Sequence, residues 1–373
     1  MKLTSEQIRQ LETPCLVIDA DQAKINVQQM QVAADEAGCR LRPHIKTHKM
    51  PYFARMQIAA GASGITCAKV SEAEVMADGG GQDIFIAYPL VGAFRVERAI
   101  RLAQRIKRLI LAVDSIEGAE ALNQAAGEHG VILEVRLEID TGAGRTGAPA
   151  AVAVAVAVAV QKMEYLNLTG IYTFKSLVLD GRPTEDNFLA AKEEGRMMAE
   201  TAAALKAAGI ELADISAGST PTGIAVAQTG LVNEIRPGTY IFKDYMLTKE
   251  RVGVVEEIAV RYYATVVSCQ HPEYAVIDGG TKCFPTDIIP GQEPYYYPGY
   301  AVVEGDENLA LTRMNEEHGM ITAANGVTGL KVGDVITLIP IHVCTAVNMQ
   351  NTVYILEDNQ LRKQPVDARG MLV

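Results

Sequence analysis

The sequence predicts a (β/α)₈ barrel followed by an all-β domain. Eight strand-like runs alternate with helical runs over about 200 residues, as a parallel α/β barrel requires. Near residue 250 this rhythm changes, and strand-like runs then follow one another with glycine and proline turns between them. The composition is that of an ordinary globular protein, with 49% hydrophobic and 21% charged residues in a chain of 373.

The predicted barrel strands are separated by helical segments. The strand candidates are 40–45, 64–68, 83–88, 109–113, 132–139, 168–173, 212–217 and 232–235. The helical stretches between them include 70–79, 92–105, 115–130 and 184–209. A doubly wound open sheet is the alternative, because strand counting in one sequence does not fully separate it from a barrel.

Two helices need separate justification. After a short strand at 13–19, Asp21 is predicted to cap a helix that ends before Gly38, with apolar residues every three or four positions. The run 151–160 alternates alanine and valine, which is typical of a strand. Its place between two strand candidates, its five alanines and the preceding Pro149 favour a buried helix instead.

We expect the barrel to occupy 20–248 and the β domain to occupy 249–373. The strand-like runs of the second domain include 257–268, 274–277, 334–338 and 352–356. The strand at 13–19 precedes the barrel in the chain, and we expect it to return and join the β domain.

Charge and patterning limit the classes of function. The 34 Lys and Arg against 45 Asp and Glu give a net charge of −11, which disfavours nucleic acids and anionic membrane surfaces as partners. No apolar run approaches the roughly 18–20 residues that span a bilayer. The polar N-terminus lacks the apolar segment of a signal peptide, and the six cysteines form no C-x-x-C pair. We therefore expect a cytoplasmic protein that acts on a small molecule.

A cluster of basic residues closes the first predicted barrel strand, in the run RPHIKTHK at 42–49. Active sites of such barrels lie at the carboxyl ends of the strands. The neighbouring cations disfavour a further ammonium at Lys46, and Schiff-base chemistry needs a neutral amine. Lys46 and His44 would leave a strand on the same face. A solvated basic turn explains the run equally well.

Two loops after the seventh and eighth strands are rich in small residues, SAGSTPTG at 216–223 and RPGTY at 236–240. Barrels bind phosphate at these loops, although either loop alone is a weak signal. Together with Lys46 they suggest pyridoxal 5′-phosphate, an aldehyde that carries a phosphate. The candidates for holding it are Lys46, His44, Arg145, Tyr172, Ser216, Gly218, Ser219, Thr220, Gly238, Thr239 and Tyr240. Alternatively, Arg145 only holds its loop and Tyr172 is an ordinary residue of the barrel rim.

His342 and Cys344 form the third feature. In a strand, residues i and i+2 project from one face, so the imidazole and the thiolate could bind one metal ion. Soft sulfur favours Zn²⁺, with Mn²⁺ as the alternative, and two protein ligands leave positions for water and substrate. Simple packing of a cysteine near a histidine is the more common explanation of such a pair.

Together these motifs resemble the fold-type III pyridoxal-phosphate enzymes of the D-threonine aldolase and D-serine dehydratase group. The resemblance runs from about residue 13 to the C-terminus, and its specific parts are the lysine motif at 42–49 and the His-x-Cys pair at 342–344. Glycine-containing pieces such as the loop 236–240 extend it but are not specific alone. It implies an alanine-racemase-like barrel with a C-terminal β domain, usually a homodimer. It also implies that Lys46 forms the Schiff base and that His342 and Cys344 hold a metal beside the cofactor. Family aldolases often have His-x-Asp at that place, and the zinc-dependent dehydratases have His-x-Cys.

One departure from this family concerns the end of the sixth strand, where relatives tend to carry a tyrosine followed shortly by a Gly-His pair. Here the run is YTFK at 172–175, and no histidine occurs between His129 and His271. Lys175 is the candidate replacement for the missing base. The resemblance implies a lyase that acts on a D-3-hydroxy amino acid by retro-aldol cleavage or β-elimination. An amino-acid racemase and a non-catalytic cofactor carrier are the alternatives. The catalytic candidates are Lys46, Tyr172 and Lys175.

Overall fold

The computed structural model describes Met1 and residues 3–373, which divide into two compact units. The barrel unit comprises Gln28–Lys46, Met50–Gly238 and Gly370–Val373. The β unit comprises Met1–Val27, Thr47–Lys49 and Thr239–Arg369. Each unit is therefore assembled from separate stretches of the chain.

The regular elements are numbered in chain order. The helices are α1 Ser5–Arg9, α2 Ala20–Glu36, α3 Pro51–Ala59, α4 Val70–Asp78, α5 Ala93–Ala103, α6 Ile116–Glu128, α7 Ala150–Gln161, α8 Asn187–Ala207, α9 Gly223–Gln228, α10 Tyr245–Lys249 and α11 Val343–Met349. The strands are β1 Cys15–Asp19, β2 Arg40–Leu41, β3 Ile65–Cys67, β4 Asp83–Pro89, β5 Arg108–Val113, β6 Leu133–Asp140, β7 Ala148–Pro149, β8 Leu166–Tyr172, β9 Val178–Leu179, β10 Arg182–Pro183, β11 Asp214–Ala217, β12 Glu234–Ile235, β13 Val260–His271, β14 Tyr274–Ile277, β15 Ala301–Val303, β16 Leu309–Met314, β17 Gly319–Ala323, β18 Val335–Pro340, β19 Thr352–Glu357 and β20 Gln360–Pro365. Short 3₁₀ turns lie at Ile45–Thr47, Thr239–Ile241 and Val255–Glu257. Within the described residues, no helix is both long and apolar enough to cross a membrane.

The barrel unit is built on a parallel sheet with the strand order β2-β12-β11-β8-β6-β5-β4-β3. A parallel bridge between His44 and Thr66 joins the two ends of this order, so the sheet closes on itself. The predicted (β/α)₈ barrel is thereby confirmed, and the open-sheet alternative is wrong. Each predicted barrel strand coincides with an observed one, although β2 and β12 are shorter than predicted.

The alanine–valine run forms helix α7, as predicted, and not a strand. Its buried residues are Ala153, Val156, Ala157 and Val160, which are spaced three and four apart along one helical face. Because every residue of the run is apolar, the alternation carries no information about which face is buried. The place of the run between two parallel strands decides its structure.

The start of α2 differs from the prediction. Asp19, and not Asp21, accepts the backbone N–H of Gln22 through Oδ1 at 2.9 Å. Asp21 lies in the first turn, where a negative charge still favours the positive end of the helix dipole. Beyond the other end of the helix, Gly38 has a φ of +65°, the left-handed conformation expected of a residue that terminates a helix.

The β unit is built on one sheet, in the order β14-β17-β16-β15-β18-β13-β1-β19-β20. Since β14 also pairs with β13, the strands from β13 to β18 close into a small barrel. The N-terminal strand β1 belongs to this sheet, where Val17 pairs with Arg261 of β13 and with Tyr354 of β19. The pairing with β13 is antiparallel and the pairing with β19 is parallel.

A layer of paired charges fills the interior of the barrel unit near the first residues of β11 and β12. Glu234 accepts hydrogen bonds from Arg42 at 2.9 Å and from Arg136 at 2.5 Å. Arg136 also donates to Asp214 at 2.6 Å. Burial alone would raise the pKa of Glu234, but the two guanidinium groups hold it far below its usual value. This paired layer fixes the barrel strands below the loops that carry the candidate site.

Candidate active site

Lys46 lies in a tight turn after the first barrel strand. That strand ends at Leu41, and the chain passes through Pro43, which has no N–H to extend the ladder, into the 3₁₀ turn Ile45–Thr47. The prediction that His44 and Lys46 alternate along a strand is therefore wrong. The two residues remain close for another reason, because Nδ1 of His44 accepts the backbone N–H of Lys46 at 3.3 Å.

The Lys46 side chain is half-buried at the barrel mouth, the end where the parallel strands have their carboxyl termini. Its Nζ lies 5.5 Å from the ring centroid of Phe174, which follows β8. The guanidinium of Arg145, in the loop after β6, lies 4.7 Å from the same centroid. Among the described residues, no carboxylate or hydrogen-bond acceptor engages the Lys46 ammonium. An amine in this setting can react with an aldehyde.

Tyr172, the last residue of β8, is fully buried in the barrel unit. Its hydroxyl donates to Glu138 at 2.9 Å, and its ring lies 5.1 Å from the guanidinium of Arg236. Burial and the nearby Glu138 raise the pKa of Tyr172 well above its usual value, so the phenol remains a neutral donor. Arg236 in turn donates to Ser216 at 2.6 Å. The predicted cofactor residues Tyr172 and Ser216 are thus joined through one buried arginine.

Replacing Tyr172 by phenylalanine is expected to lower the free energy of unfolding by about 1–3 kcal/mol, because the buried Glu138 loses a hydrogen-bond donor. Urea unfolding measures this loss. Tyr165→Phe is the matched control, since the Tyr165 hydroxyl makes no hydrogen bond among the described residues. An altered absorbance of the cofactor in Tyr172→Phe would support the predicted contact with it, and equal stability of both variants would contradict the hydrogen-bond argument.

Lys175, the candidate base, forms an ion pair with Glu193 of α8. Its side chain is only 1% exposed, and burial lowers its pKa. Glu193 also accepts the backbone N–H of Asp180 at 3.3 Å. The pair thereby ties the loop after β8 to helix α8. Lys175 therefore has a structural role, and its catalytic role stays a prediction.

A double-mutant cycle separates these two roles of Lys175. Lys175→Met is expected to destabilise the protein by about 1–3 kcal/mol, because Glu193 loses its cation, and adding Glu193→Gln should recover part of that loss. If Lys175 is the base, kcat falls by about 10²–10⁴ in both variants that lack it and not in Glu193→Gln alone. Recovery of kcat in the double variant would assign Lys175 to structure only.

The predicted phosphate loop after β11 is held in shape by a buried glutamate. Glu194 accepts the backbone N–H of Gly218 at 3.0 Å and the hydroxyl of Thr222 at 3.0 Å. The Ser219 backbone N–H donates to the same Thr222 hydroxyl at 3.2 Å. Gly218 has a φ of +79°, and an added Cβ would lie only 2.8 Å from the Cα of Gly223. This tight, glycine-dependent turn fits a phosphate cradle, and Thr220 lies within it.

The predicted phosphate residues after β12 have different surroundings. Gly238 precedes the 3₁₀ turn Thr239–Ile241, in which Tyr240 is buried. The hydroxyl of Thr239 lies 3.4 Å from Sγ of Cys344 in the β unit. The Thr239 side chain therefore contacts the predicted metal ligand Cys344, which the sequence did not suggest.

His342 and Cys344 are brought together, although not by a strand as predicted. The strand β18 ends at Pro340, His342 is the N-cap residue of α11, and Cys344 lies in the first turn of that helix. Their side chains are nevertheless near each other, since Cys344 contributes to raising the pKa of His342. The hydroxyls of Thr47 and Thr239 lie 3.1 Å and 3.4 Å from Sγ of Cys344.

Carboxylates surround this pair. Asp287 Oδ2 lies 2.5 Å from His342 Nδ1, and the buried Asp244 accepts the backbone N–H of Val343 at 3.0 Å. Burial alone would lower the pKa of His342, but Cys344, Asp287 and Asp244 together raise it well above its usual value. This concentration of negative charge around an imidazole and a thiol fits a divalent cation. Within the described chain, no group of three or more His, Cys, Asp or Glu side chains is arranged to hold one, and binding of a metal by His342 and Cys344 stays a prediction.

Comparison with known proteins places the chain in a family. The family model described as alanine racemase, N-terminal domain, matches residues 18–246, which is more than half of the chain. The chain belongs to this family. A second model, of a serine dehydratase domain, matches residues 259–356.

The relatives of this family member include an aldolase and a dehydratase. D-threonine aldolase of Arthrobacter sp. is 29% identical over 98% of this chain and 94% of the relative. D-threo-3-hydroxyaspartate dehydratase of Delftia sp. (strain HT23) is 32% identical over 90% of this chain and 91% of the relative.

Solved structures of the same two kinds of enzyme share the fold. D-threonine aldolase from Filomicrobium marinum superposes with a TM-score of 0.86 at 29% identity, covering 97% of each chain. A cysteine-to-alanine mutant of a D-threo-3-hydroxyaspartate dehydratase, solved in a metal-free form, superposes with a TM-score of 0.85 at 31% identity, covering 95% of this chain and 97% of that one.

Several contacts in this family member were not suggested by its sequence. Phe174 and Lys46 approach each other across the barrel mouth, and Glu138 bonds Tyr172 from the neighbouring strand. Asp287 reaches His342 from 55 positions away along the chain. Parallel strand order would have suggested that β6 and β8 are neighbours. No local pattern around Asp287 indicates its contact.

Proposed function

We propose that this chain is a pyridoxal-phosphate- and divalent-metal-dependent lyase that acts on a D-3-hydroxy amino acid, by retro-aldol cleavage or by β-elimination. The observation that carries the proposal is the half-buried Lys46 at the barrel mouth, beside Phe174 and without an anionic partner among the described residues. Family membership supports pyridoxal phosphate as the cofactor. The names of the relatives, an aldolase and a dehydratase, support both modes of bond breakage.

Different residues of the barrel unit would hold the two ends of the cofactor. In this proposal the Lys46 amine would bind the cofactor aldehyde, and the turn at Gly218 would bind its phosphate. When bound, pyridoxal phosphate takes up the electron pair released when a bond at the substrate Cα breaks. The ring of Phe174 lies beside the Lys46 amine, and the exposed Arg145 offers a guanidinium to an anionic group.

The β unit supplies the metal ligands in this proposal. His342 and Cys344 would hold the ion, and the thiolate favours Zn²⁺ over harder ions, with Mn²⁺ as the alternative. The metal-free form of a cysteine mutant of a D-threo-3-hydroxyaspartate dehydratase supports a metal in enzymes of this kind. Bound there, the ion would polarise the 3-hydroxyl of the substrate. The homodimeric state stays a prediction.

A product assay tests the proposed function. Purified protein loaded with pyridoxal phosphate is incubated with D-threonine, D-serine or 3-hydroxy-D-aspartate, each with and without EDTA. Glycine and acetaldehyde from D-threonine identify an aldolase. Pyruvate and ammonia from D-serine identify a dehydratase. L-Threonine is the control for stereochemistry.

Other outcomes of this assay identify the alternative functions or test the role of the metal. Exchange of the Cα hydrogen without loss of the side chain, unaffected by EDTA, would identify a racemase. Retention of the cofactor with no product from any D- or L-amino acid would identify a carrier. Loss of lyase activity with EDTA and its return with Zn²⁺ or Mn²⁺ would support the metal.

A further inference from the structure

Asp287 makes the closest polar contact of His342. It lies in the segment between β14 and β15, and its Oδ2 is 2.5 Å from Nδ1 of the imidazole. The hydroxyl of Thr345, one residue after Cys344, donates to the same oxygen at 3.0 Å. One carboxylate oxygen is therefore fixed by two donors that belong to the start of α11.

This contact selects one nitrogen of the imidazole. A neutral histidine carries its proton on one ring nitrogen and a lone pair on the other. A carboxylate at Nδ1 holds the proton there, so Nε2 is the nitrogen that would release its proton and bind a metal. Cys344 follows two positions later in the first turn of α11, so its thiol is near the same imidazole, as a second ligand must be.

Asp287 does not itself complete a metal site. Among the residues that the structure describes, no three His, Cys, Asp or Glu side chains are arranged around one ion position, although Asp287, His342 and Cys344 are neighbours. A carboxylate that contacts the imidazole without reaching the ion position acts through the histidine. It sets the orientation of the ring and increases its basicity.

We propose that Asp287 is a positioning residue for the metal site, which holds His342 with Nε2 directed to the ion and which Thr345 supports. This inference rests on the metal part of the proposed function and deepens it. The Asp287 side chain is 36% exposed and the His342 side chain 26%, so substituting Asp287 leaves no buried cavity. The expected effect is therefore on metal affinity and not on folding.

Metal titration of the full-length protein tests this role. Metal-free protein is titrated with Zn²⁺ against a chromophoric chelator, and with Co²⁺ to follow the thiolate-to-cobalt absorbance. Asp287→Ala is expected to raise the dissociation constant of Zn²⁺ by about 10–100-fold, the usual effect of losing such a partner. Asp287→Asn, which can still accept from Nδ1 but carries no charge, should lie between Asp287→Ala and the unmodified protein.

Two further variants make the test specific. Thr345→Val, which removes the second donor to the Asp287 oxygen, should weaken Zn²⁺ binding less than Asp287→Ala does. Asp306→Asn is the matched control, because Asp306 is an exposed aspartate of the same unit that bonds only within its own turn. It should leave the dissociation constant unchanged. At saturating Co²⁺ the thiolate band should persist in every variant, because Cys344 is untouched.

The outcomes separate this inference from the proposed function. An unchanged Zn²⁺ dissociation constant in Asp287→Ala would overturn the inference alone. Loss of the cobalt–thiolate band in that variant would show that Asp287 shapes the whole segment, and would equally overturn a role through His342. A parent protein that binds neither ion would refute both. Zn²⁺ affinity that depends on Asp287 in a protein without lyase activity would support the inference and refute the proposed function.

Discussion

Replacement of Lys46 by alanine is expected to lower lyase turnover by about 10⁴-fold, because the variant loses both the amine that binds the cofactor aldehyde and a positioned proton carrier. Turnover is measured with whichever D-amino acid gives product in the assay above. Borohydride reduction followed by peptide mass spectrometry provides a second measurement. The peptide that contains residue 46 should gain the mass of the cofactor in the parent protein and not in Lys46→Ala.

Lys24→Ala is the control for this substitution, because Lys24 is an exposed lysine on α2. We expect it to keep both the activity and the mass increase on the peptide of residue 46. Cofactor mass on a different lysine of the parent protein would refute the assignment of Lys46. Full activity of Lys46→Ala would refute the proposed chemistry as a whole.

The order of secondary-structure elements follows from local patterns in the sequence. Parallel strands buried on both faces are short apolar runs, and the helices between them have apolar residues every three or four positions. The place of α7 was predicted for the same reason, since a parallel barrel needs a crossover between β6 and β8. Local patterns fix the ends of elements less well. One hydrogen bond to a side chain, such as the one that Asp19 accepts, moves a helix start by two residues.

The strand predictions failed where the chain turns sharply. His342 and Cys344 were predicted to project from one face of a strand, as residues i and i+2 do. The chain instead enters α11, where Asp244 accepts the N–H of Val343. Asp244 lies 99 positions earlier in the chain, so no pattern local to His342 contains this information. The contact of Asp287 with His342 was missed for the same reason.

Substituting the two predicted metal ligands is expected to give the second large loss of turnover. Substitution of His342 by alanine or of Cys344 by serine should lower turnover by about 10³-fold. A cation that polarises a hydroxyl lowers the activation barrier by several kcal/mol, and these variants would lose that effect. The metal content of the purified variants, measured by mass spectrometry of the elements, should fall together with activity. Added Zn²⁺ or Mn²⁺ should restore the EDTA-treated parent protein but not the variants.

Cys269→Ser is the matched control for the cysteine substitution, because Cys269 is a partly buried free cysteine of the same unit whose Sγ bonds only the carbonyl of Leu330 among the described residues. It should keep both metal and turnover. If His342 and Cys344 both bind the ion, as predicted, its binding must weaken when either side chain is removed. Normal metal content in both variants would place the ion elsewhere. Loss of metal with unchanged turnover would give the ion a structural role and would leave the 3-hydroxyl to be activated by the side chains of the protein alone.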